Sequence, residues 1–374
     1  MKNLKDYKEI IHNCSKCGLC QSVCPVYLET GNECTVSRGQ FIMLQGIIKG
    51  DLKINKNINK YLDLCLKCGK CSDFCPSEID IVEVILSAKA EYFRTSLEGK
   101  ILSILQSKWI FNTAINCAEI FFRVINPKYW FKKKQAKNLT HDLPQTAIYF
   151  GGCANKIQPE TDKSVKQILN KMNIEVLDTK FDCCGLPFLT SGNLERFIEQ
   201  AGGNVEKILD EDFDYFITDC ASCQWAWKEY IKYLDDDKLK AKLEKIEFKN
   251  IYELIAESDL EFVSEKPIKV TFHKPCHEEN IEFLSQILSK CKNVEYVEMN
   301  GMKDCCGFNG IAKPKTYPVT SKIISSKKSN IEKANADYVL TTCVGCVLAL
   351  NIITLFRKKV TRLITFLGKN ITKK

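Results

Sequence analysis

Apolar side chains recur at helical spacing over residues 37–50 (SRGQFIMLQGIIKG), where Phe41, Met43, Leu44, Ile47 and Ile48 mark one side and Gly50 marks the stop. Residues 79–93 (IDIVEVILSAKAEYF) predict a second helix of the same kind. Residues 101–125 place Lys108, Asn112, Asn116, Glu119 and Arg123 in one stripe, with Trp109, Phe111, Ile115, Phe121, Phe122 and Ile125 opposite. That pattern predicts an amphipathic helix packed between the two halves of the chain. A membrane-interface helix is the rival, because NPKYWFKKK (126–134) adds aromatics and a basic cluster. Residues 348–367 carry Ile352, Phe356, Val360, Leu363, Ile364 and Leu367 against Arg357, Lys358 and Arg362, and predict a closing helix.

Short β-type runs fill the second half, and they come in pairs. AIYFGGC (147–153) parallels IKVTFHKPC (268–276), each an apolar strand running into a cysteine. IEVLD (174–178) parallels VEYVE (294–298), and DYFITDCASC (214–223) parallels DYVLTTCVGC (337–346). Strands that alternate with helices predict a parallel sheet in each copy, three strands apiece. The fold class is therefore α+β multidomain: a helical N-terminal domain (1–98), a helical linker (99–143) and a duplicated α/β parallel-sheet domain (144–262 and 263–374).

Composition changes the picture in one respect. The chain has 374 residues, 45% of them hydrophobic and 27% charged, as in globular proteins. No stretch predicts a membrane span or a secretory signal. The formal charge of +8 is mild and counts every cysteine as neutral, so nucleic acid is not an expected partner. But 21 residues are cysteine. In an unexported chain they stay reduced and point to metal ligands or redox groups, and the expected location is cytoplasmic.

Their spacing sorts eighteen of them into four sets. Cys14, Cys17, Cys20 and Cys24 form C-x2-C-x2-C-x3-C before Pro25, and Cys65, Cys68, Cys71 and Cys75 repeat it before Pro76. This is the bacterial 4Fe-4S pattern, in which the fourth cysteine serves the other cluster. Two cubanes are expected, one on Cys14, Cys17, Cys20 and Cys75 and the other on Cys65, Cys68, Cys71 and Cys24. A zinc ribbon needs only two C-x2-C pairs and leaves the third cysteine and the Cys-Pro unexplained. The separation of 51 positions from Cys14 to Cys65 makes this an α-helical ferredoxin domain rather than a minimal β-rich one.

Cys153, Cys183, Cys184, Cys220 and Cys223 form C-x29-C-C-G-x34-C-x2-C. Cys276, Cys305, Cys306, Cys343 and Cys346 form C-x28-C-C-G-x35-C-x2-C, offset by 122 or 123 residues. In parallel α/β sheets ligands gather beyond the carboxyl ends of strands, where these cysteines fall. Gly185 and Gly307 would allow positive φ or a close approach. Five thiolates exceed what a cubane or a tetrahedral zinc needs, which points to one or two unusual iron-sulfur clusters. A zinc site with a spare thiol and a redox-active Cys-Cys pair stay open.

Two ferredoxin motifs followed by two cysteine-rich CCG domains resemble the iron-sulfur subunit of glycolate oxidase. The layout is also similar to the D-type component of heterodisulfide reductase and to the C component of anaerobic glycerol-3-phosphate dehydrogenase. The resemblance covers about residues 10–357. It implies an oxidoreductase subunit that takes electrons from a partner FAD subunit oxidising glycolate or D-lactate and passes them to a quinone or membrane-bound acceptor. Peripheral attachment at the inner face of the membrane goes with such an acceptor. The resemblance to heterodisulfide reductase implies a non-cubane 4Fe-4S cluster in each five-cysteine set. Glycolate oxidase subunits often have a degenerate copy, whereas both copies here are complete. SRGQ (37–40) is similar to a Pro-Arg-Gly-Arg segment of those relatives but lacks its proline and second arginine.

The remaining residues offer little chemistry. Cys117 is expected to be a small core residue, and Cys34 and Cys291 have no assignable role. His273 and His277 flank Cys276, where a structural role is expected, and Asp182 and Asp304 precede the Cys-Cys pairs. No Walker loop, G-x-G-x-x-G fingerprint or Ser-His-Asp set is present, so no catalytic residue and no flavin, NAD or ATP site is expected on this chain.

Overall fold

The computed structural model describes residues 3–125, 145–153, 155, 158–307 and 316–370. The N-terminal part is helical: α1 (Lys8–His12), α2 (Leu19–Val23), α3 (Pro25–Thr30), α4 (Ser37–Lys49), α5 (Lys56–Leu64), α6 (Lys70–Asp73), α7 (Ile81–Thr95), α8 (Leu97–Leu105) and α9 (Lys108–Ile125). The first repeat follows as β1 (Gln145–Tyr149), α10 (Pro159–Lys171), β2 (Ile174–Leu177), α11 (Leu186–Ser191), α12 (Leu194–Glu206), β3 (Tyr215–Thr218), α13 (Ala221–Tyr233), α14 (Asp237–Lys245), β4 (Phe248–Asn250) and α15 (Ile251–Glu257). The second is β5 (Phe262–His273), α16 (Glu282–Ser289), β6 (Cys291–Tyr296), α17 (Tyr317–Ala334), β7 (Tyr338–Thr341), α18 (Val344–Ile353), β8 (Lys359–Arg362) and α19 (Leu363–Asn370).

The chain divides into two compact units. One comprises residues 1–106, 185–197 and 303–329, and the other 107–184, 198–302 and 330–374. In the first, α4 ends where Gly50 turns left-handed at φ 88°, as its position predicted. The side chain of Asp80 caps α7 by accepting from the Glu83 N–H. Ile11, Leu44, Leu62, Val84, Ile85 and Ala88 are fully buried together. Burying each of the larger ones contributes about 1.5–3 kcal/mol.

The second unit holds two four-stranded sheets, both fully parallel, in the orders β2-β1-β3-β4 and β6-β5-β7-β8. The repetition of sequence is thus a repetition of topology. The two copies share one core: Val165, Ile168 and Leu169 of α10 are buried in the same cluster as Leu363, Ile364 and Leu367 of α19. These helices lie so close that a Cβ on Gly368 would meet Ser164 Oγ at 2.5 Å.

Three expectations need correction. Each sheet has a fourth strand that the pattern did not reveal. β4 is three residues long, too short to show a period. β8 lies inside the stretch 348–367, which is not one helix. Leu355 and Phe356 adopt left-handed φ of 50° and 56° with their side chains exposed, ending α18 before β8 begins. The apolar positions of three separate segments happened to fall at helical spacing. Second, residues 101–125 are broken at Gln106–Ser107 into α8 and α9. Leu97, Ile101, Ile104 and Leu105 of α8 are exposed, as is Trp109 of α9, so no packed interface covers them among the described residues. NPKYWFKKK lies outside the described residues. Third, Cys117 is exposed rather than a core residue.

Candidate metal centres

Each ferredoxin motif curls through the same two left-handed positions. Lys16 and Gly18 have φ of 59° and 86°, and Lys67 and Gly69 have 51° and 76°. A left-handed lysine costs about 1–2 kcal/mol, a strain kept where a loop must wrap a group. The loops end at the N-termini of α2 and α6, and Pro25 starts α3 directly after Cys24.

The cysteines line two adjoining cavities. Cys14, Cys17, Cys20, Cys71 and Cys75 line one. Cys24, Cys65, Cys68 and Cys71 line the other. The fourth cysteine of each motif thus stands among the first three of the other, and Cys71 faces both cavities. Burial first, and then the neighbouring Cys65 and Cys68, push the Cys24 thiol up to about 11. Burial and four neighbouring cysteines push Cys71 up as well. Buried thiols packed against one another ionise readily only beside a cation, and ligating cysteines are thiolates. The donor set fits 4Fe-4S clusters.

Two residues before Cys65 lies a buried ion pair. Lys89 Nζ donates to Asp63 Oδ1 at 2.7 Å, with side chains 1% and 2% exposed, and Asn59 Nδ2 donates to Asp63 Oδ2 at 3.1 Å. In the same unit Lys70, next to Cys71, pairs with Asp304, next to Cys305, at 3.7 Å.

The first five-cysteine set lies where the strand order reverses. β1 and β3 are neighbours whose following connections diverge, and ligands bind at that crevice in such sheets. Cys153 follows β1, while Cys220 follows β3 and caps α13, with Cys223 in its first turn. Gly185 follows the Cys-Cys pair at φ 77° and starts α11. Tyr230 Oη donates to the Cys184 carbonyl and Asn204 Nδ2 to the Cys183 carbonyl, both at 2.9 Å, so α12 and α13 fix that turn. Phe150, Phe181, Phe216 and Trp227 pack beneath, with ring centroids 4.4 Å apart for Phe216 and Trp227. The thiols contact one another: hydrogen bonding to Cys183 and burial raise Cys153, and hydrogen bonds to Cys184 and Cys220 raise Cys223. Four of the five are buried.

Of the second set, Cys276, Cys343 and Cys346 belong to the same unit as the sheets, and Cys305 and Cys306 to the other. All but Cys276 are buried. Gly307 repeats the left-handed φ, 79°. Cys343 hydrogen-bonds to Cys220 and Cys346, which lowers its thiol well below the ordinary range. Cys223 works downward on Cys220, but Cys343 and burial carry that thiol up to about 11. The two copies therefore meet at Cys220 and Cys343. His277 stacks on Trp225 with ring centroids 4.7 Å apart, and its Nδ1 lies 3.2 Å from Ser222 Oγ. His273 is wholly buried on β5. Cys291 starts β6 and donates to the Ile287 carbonyl at 3.3 Å, and burial pushes its thiol up to about 11.

The pattern of cysteines did not reveal the charged groups behind them. Arg362, placed by periodicity on a polar helix face, ends β8 and is fully buried. Its Nη1 donates to Asp219 Oδ2 at 2.6 Å, its Nη2 to Asn155 Oδ1 at 3.1 Å and its Nε to Gln158 Oε1 at 3.2 Å. Tyr149 Oη donates to Asp219 Oδ1 at 2.7 Å. Glu278 stands in the other copy, accepting from Thr342 Oγ1 at 2.5 Å and from Asn250 Nδ2 at 3.3 Å. Burial pushes its carboxyl up to about 7. The one available signal was the Asp219–Cys220 neighbourhood itself.

Comparison with known proteins agrees with this layout. The 4Fe-4S dicluster domain family matches residues 10–79, and the cysteine-rich domain family matches 147–228 and 270–351. The chain is 24% identical over 404 aligned positions to the "Probable glycolate oxidase iron-sulfur subunit" of Bacillus subtilis (strain 168), covering 94% of this chain and 90% of that one. It is 27% identical to the C component of anaerobic glycerol-3-phosphate dehydrogenase from Escherichia coli (strain K12), covering 89% and 92%. A crystal structure of a hypothetical protein from Helicobacter pylori shares the fold with a TM-score of 0.53 and 12% identity, over 90% of this chain and 67% of that one. Among the described residues no helix is long and apolar enough to cross a membrane.

Proposed function

We infer the function of this chain from its membership of the iron-sulfur subunits that join a 4Fe-4S dicluster domain to two cysteine-rich domains: it carries electrons from a partner FAD subunit, reduced by glycolate or D-lactate, to a quinone or similar acceptor. Cys14, Cys17, Cys20 and Cys75 hold one cubane, and Cys65, Cys68, Cys71 and Cys24 the other. Cys153, Cys183, Cys184, Cys220 and Cys223 hold a further iron-sulfur cluster, and the second five-cysteine set its counterpart. The working domains are 1–98, 144–262 and 263–374, with 99–143 as linker. The observation that carries this reading is the pair of adjoining cavities that share Cys71 and exchange their fourth cysteines. Neighbouring one-electron centres are what a wire requires, and the carbon chemistry belongs to the partner's flavin. Attachment at the inner face of the membrane is supported by the exposed apolar face of α8 and by the basic sequence that follows α9.

Iron analysis of anaerobically prepared protein tests the cluster load. Two cubanes give about eight iron atoms per chain, and clusters in both repeats about sixteen. Zinc in place of iron, or fewer than about six iron atoms in fully loaded protein, rejects the wire. Completeness of both five-cysteine sets favours a second reading, a heterodisulfide-reductase-like role. Oxidation of the reduced protein by a disulfide would select it.

The crossing has its own test. Cys24→Ser is expected to remove the spectral signature of the cubane on Cys65, Cys68 and Cys71 and to leave the other largely intact. Loss confined to the cubane on Cys14, Cys17 and Cys20 would overturn the assignment.

A further inference from the structure

The two repeats share a strand order but not their charges. Thr218 pairs with Asn250 in the first sheet, and Thr341, its counterpart 123 residues on, pairs with Arg362 in the second. Asn250 and Arg362 are therefore equivalent strand ends, one neutral and one permanently charged. Each reaches into the opposite repeat: Asn250 donates to Glu278, and Arg362 donates to Asp219 and Asn155. Asp219 is the residue before Cys220, and Asn155 lies two after Cys153. The Arg362 guanidinium and the Asp219 carboxylate are both wholly buried.

A buried carboxylate next to a ligand would disfavour adding an electron there, because reduction adds negative charge in a poorly screened interior. A guanidinium keeps its charge at any working pH. We propose that Arg362, supplied by the second repeat, is the fixed counter-charge of the first repeat's cysteine set and holds up the reduction potential of its centre by cancelling the field of Asp219. Arg362 is thus a positioning residue for charge, not a ligand. The proposal rests on the reading that the first set holds an iron-sulfur cluster.

The test uses the full chain, loaded anaerobically, with Cys305→Ser and Cys306→Ser to silence the second set. A redox titration followed by electron paramagnetic resonance reads the remaining non-ferredoxin centre. Asp219→Asn, which keeps the shape and one of the two acceptor oxygens that Tyr149 and Arg362 now use but leaves the guanidinium unopposed, raises the midpoint. Arg362→Gln lowers it. Each changes the oxidised-to-reduced ratio at fixed potential by about tenfold, or about 59 mV for one electron. The double variant returns towards the parent, and Arg362→Lys stays close to it. Single variants that shift in the same direction, or leave the midpoint unmoved, overturn the proposal. If Arg362→Gln does not load iron, Asp219→Asn and Arg362→Lys still decide: an unmoved or lowered midpoint in Asp219→Asn overturns it. A parent without iron at the first set removes the cluster reading and the proposal together, whereas a loaded but unresponsive centre removes the proposal alone.

Discussion

Cys68→Ser in the assembled complex is expected to reduce electron delivery to a quinone-like acceptor to the level of the flavoprotein alone, while substrate still bleaches the flavin. Cys68 lines its cavity with Cys24, Cys65 and Cys71, after the left-handed turn at Lys67. Serine nearly preserves shape, so the loop should still form. What it removes is a thiolate, the ligand that iron-sulfur clusters use. The effect is large because one-electron centres act in series. On the proposed function any break stops transfer, whereas oxidation of the hydroxy acid would proceed upstream on another chain. Stopped-flow bleaching of the flavin and steady-state acceptor reduction separate the two. If Cys68→Ser stops bleaching in an intact complex, this chain takes part in substrate oxidation and the wire is the wrong description.

Lys89→Ala is expected to destabilise the protein by about 3–5 kcal/mol, the cost of removing one member of a buried ion pair. Asp63 loses its cation and keeps the Asn59 amide, and its carboxylate has no route to water at 2% exposure. The midpoint of denaturant unfolding of the iron-loaded protein should fall with little change in slope. Lys89→Met with Asp63→Leu should recover most of the loss, since apolar replacement of such pairs is often neutral. Arg94→Ala, which breaks the exposed pair with Glu91, should cost under about 1 kcal/mol. A cost for Lys89→Ala no greater than that for Arg94→Ala would show that water reaches the pair.

Much of the layout was legible because chemistry forces spacing. A cubane needs three thiolates on short spacers, and duplication wrote the sheet twice. Short apolar runs and their repetition carried β1, β2, β3, β5, β6 and β7; β1, β3 and β7 run from half-buried into the core within a few positions. β4 and β8 were invisible for a different reason. They are short edge strands whose last residues, Asn250 and Arg362, serve partners in the other repeat. Long-range charge pairing leaves no local trace. Arg362 and Asp219 are 143 positions apart, and Lys89 and Asp63 are 26. Periodicity put Arg362 towards solvent because a charge is ordinarily there.

The shared core of the two repeats sets an order of events on the ribosome. Domains ordinarily fold as they emerge, at about 5–20 residues per second. The first repeat has its own sheet by Asn250, yet α19, which covers α10, is still to be made. So is Arg362, so a nascent Asp219 has no guanidinium to meet. The first five-cysteine set therefore gains its finished surroundings only after the second repeat is made, whereas the N-terminal cysteine loops are complete while most of the chain is still unmade. A ribosome stalled after the first repeat would carry the N-terminal cysteine loops in full and the first five-cysteine set without the helix and the guanidinium that later cover it.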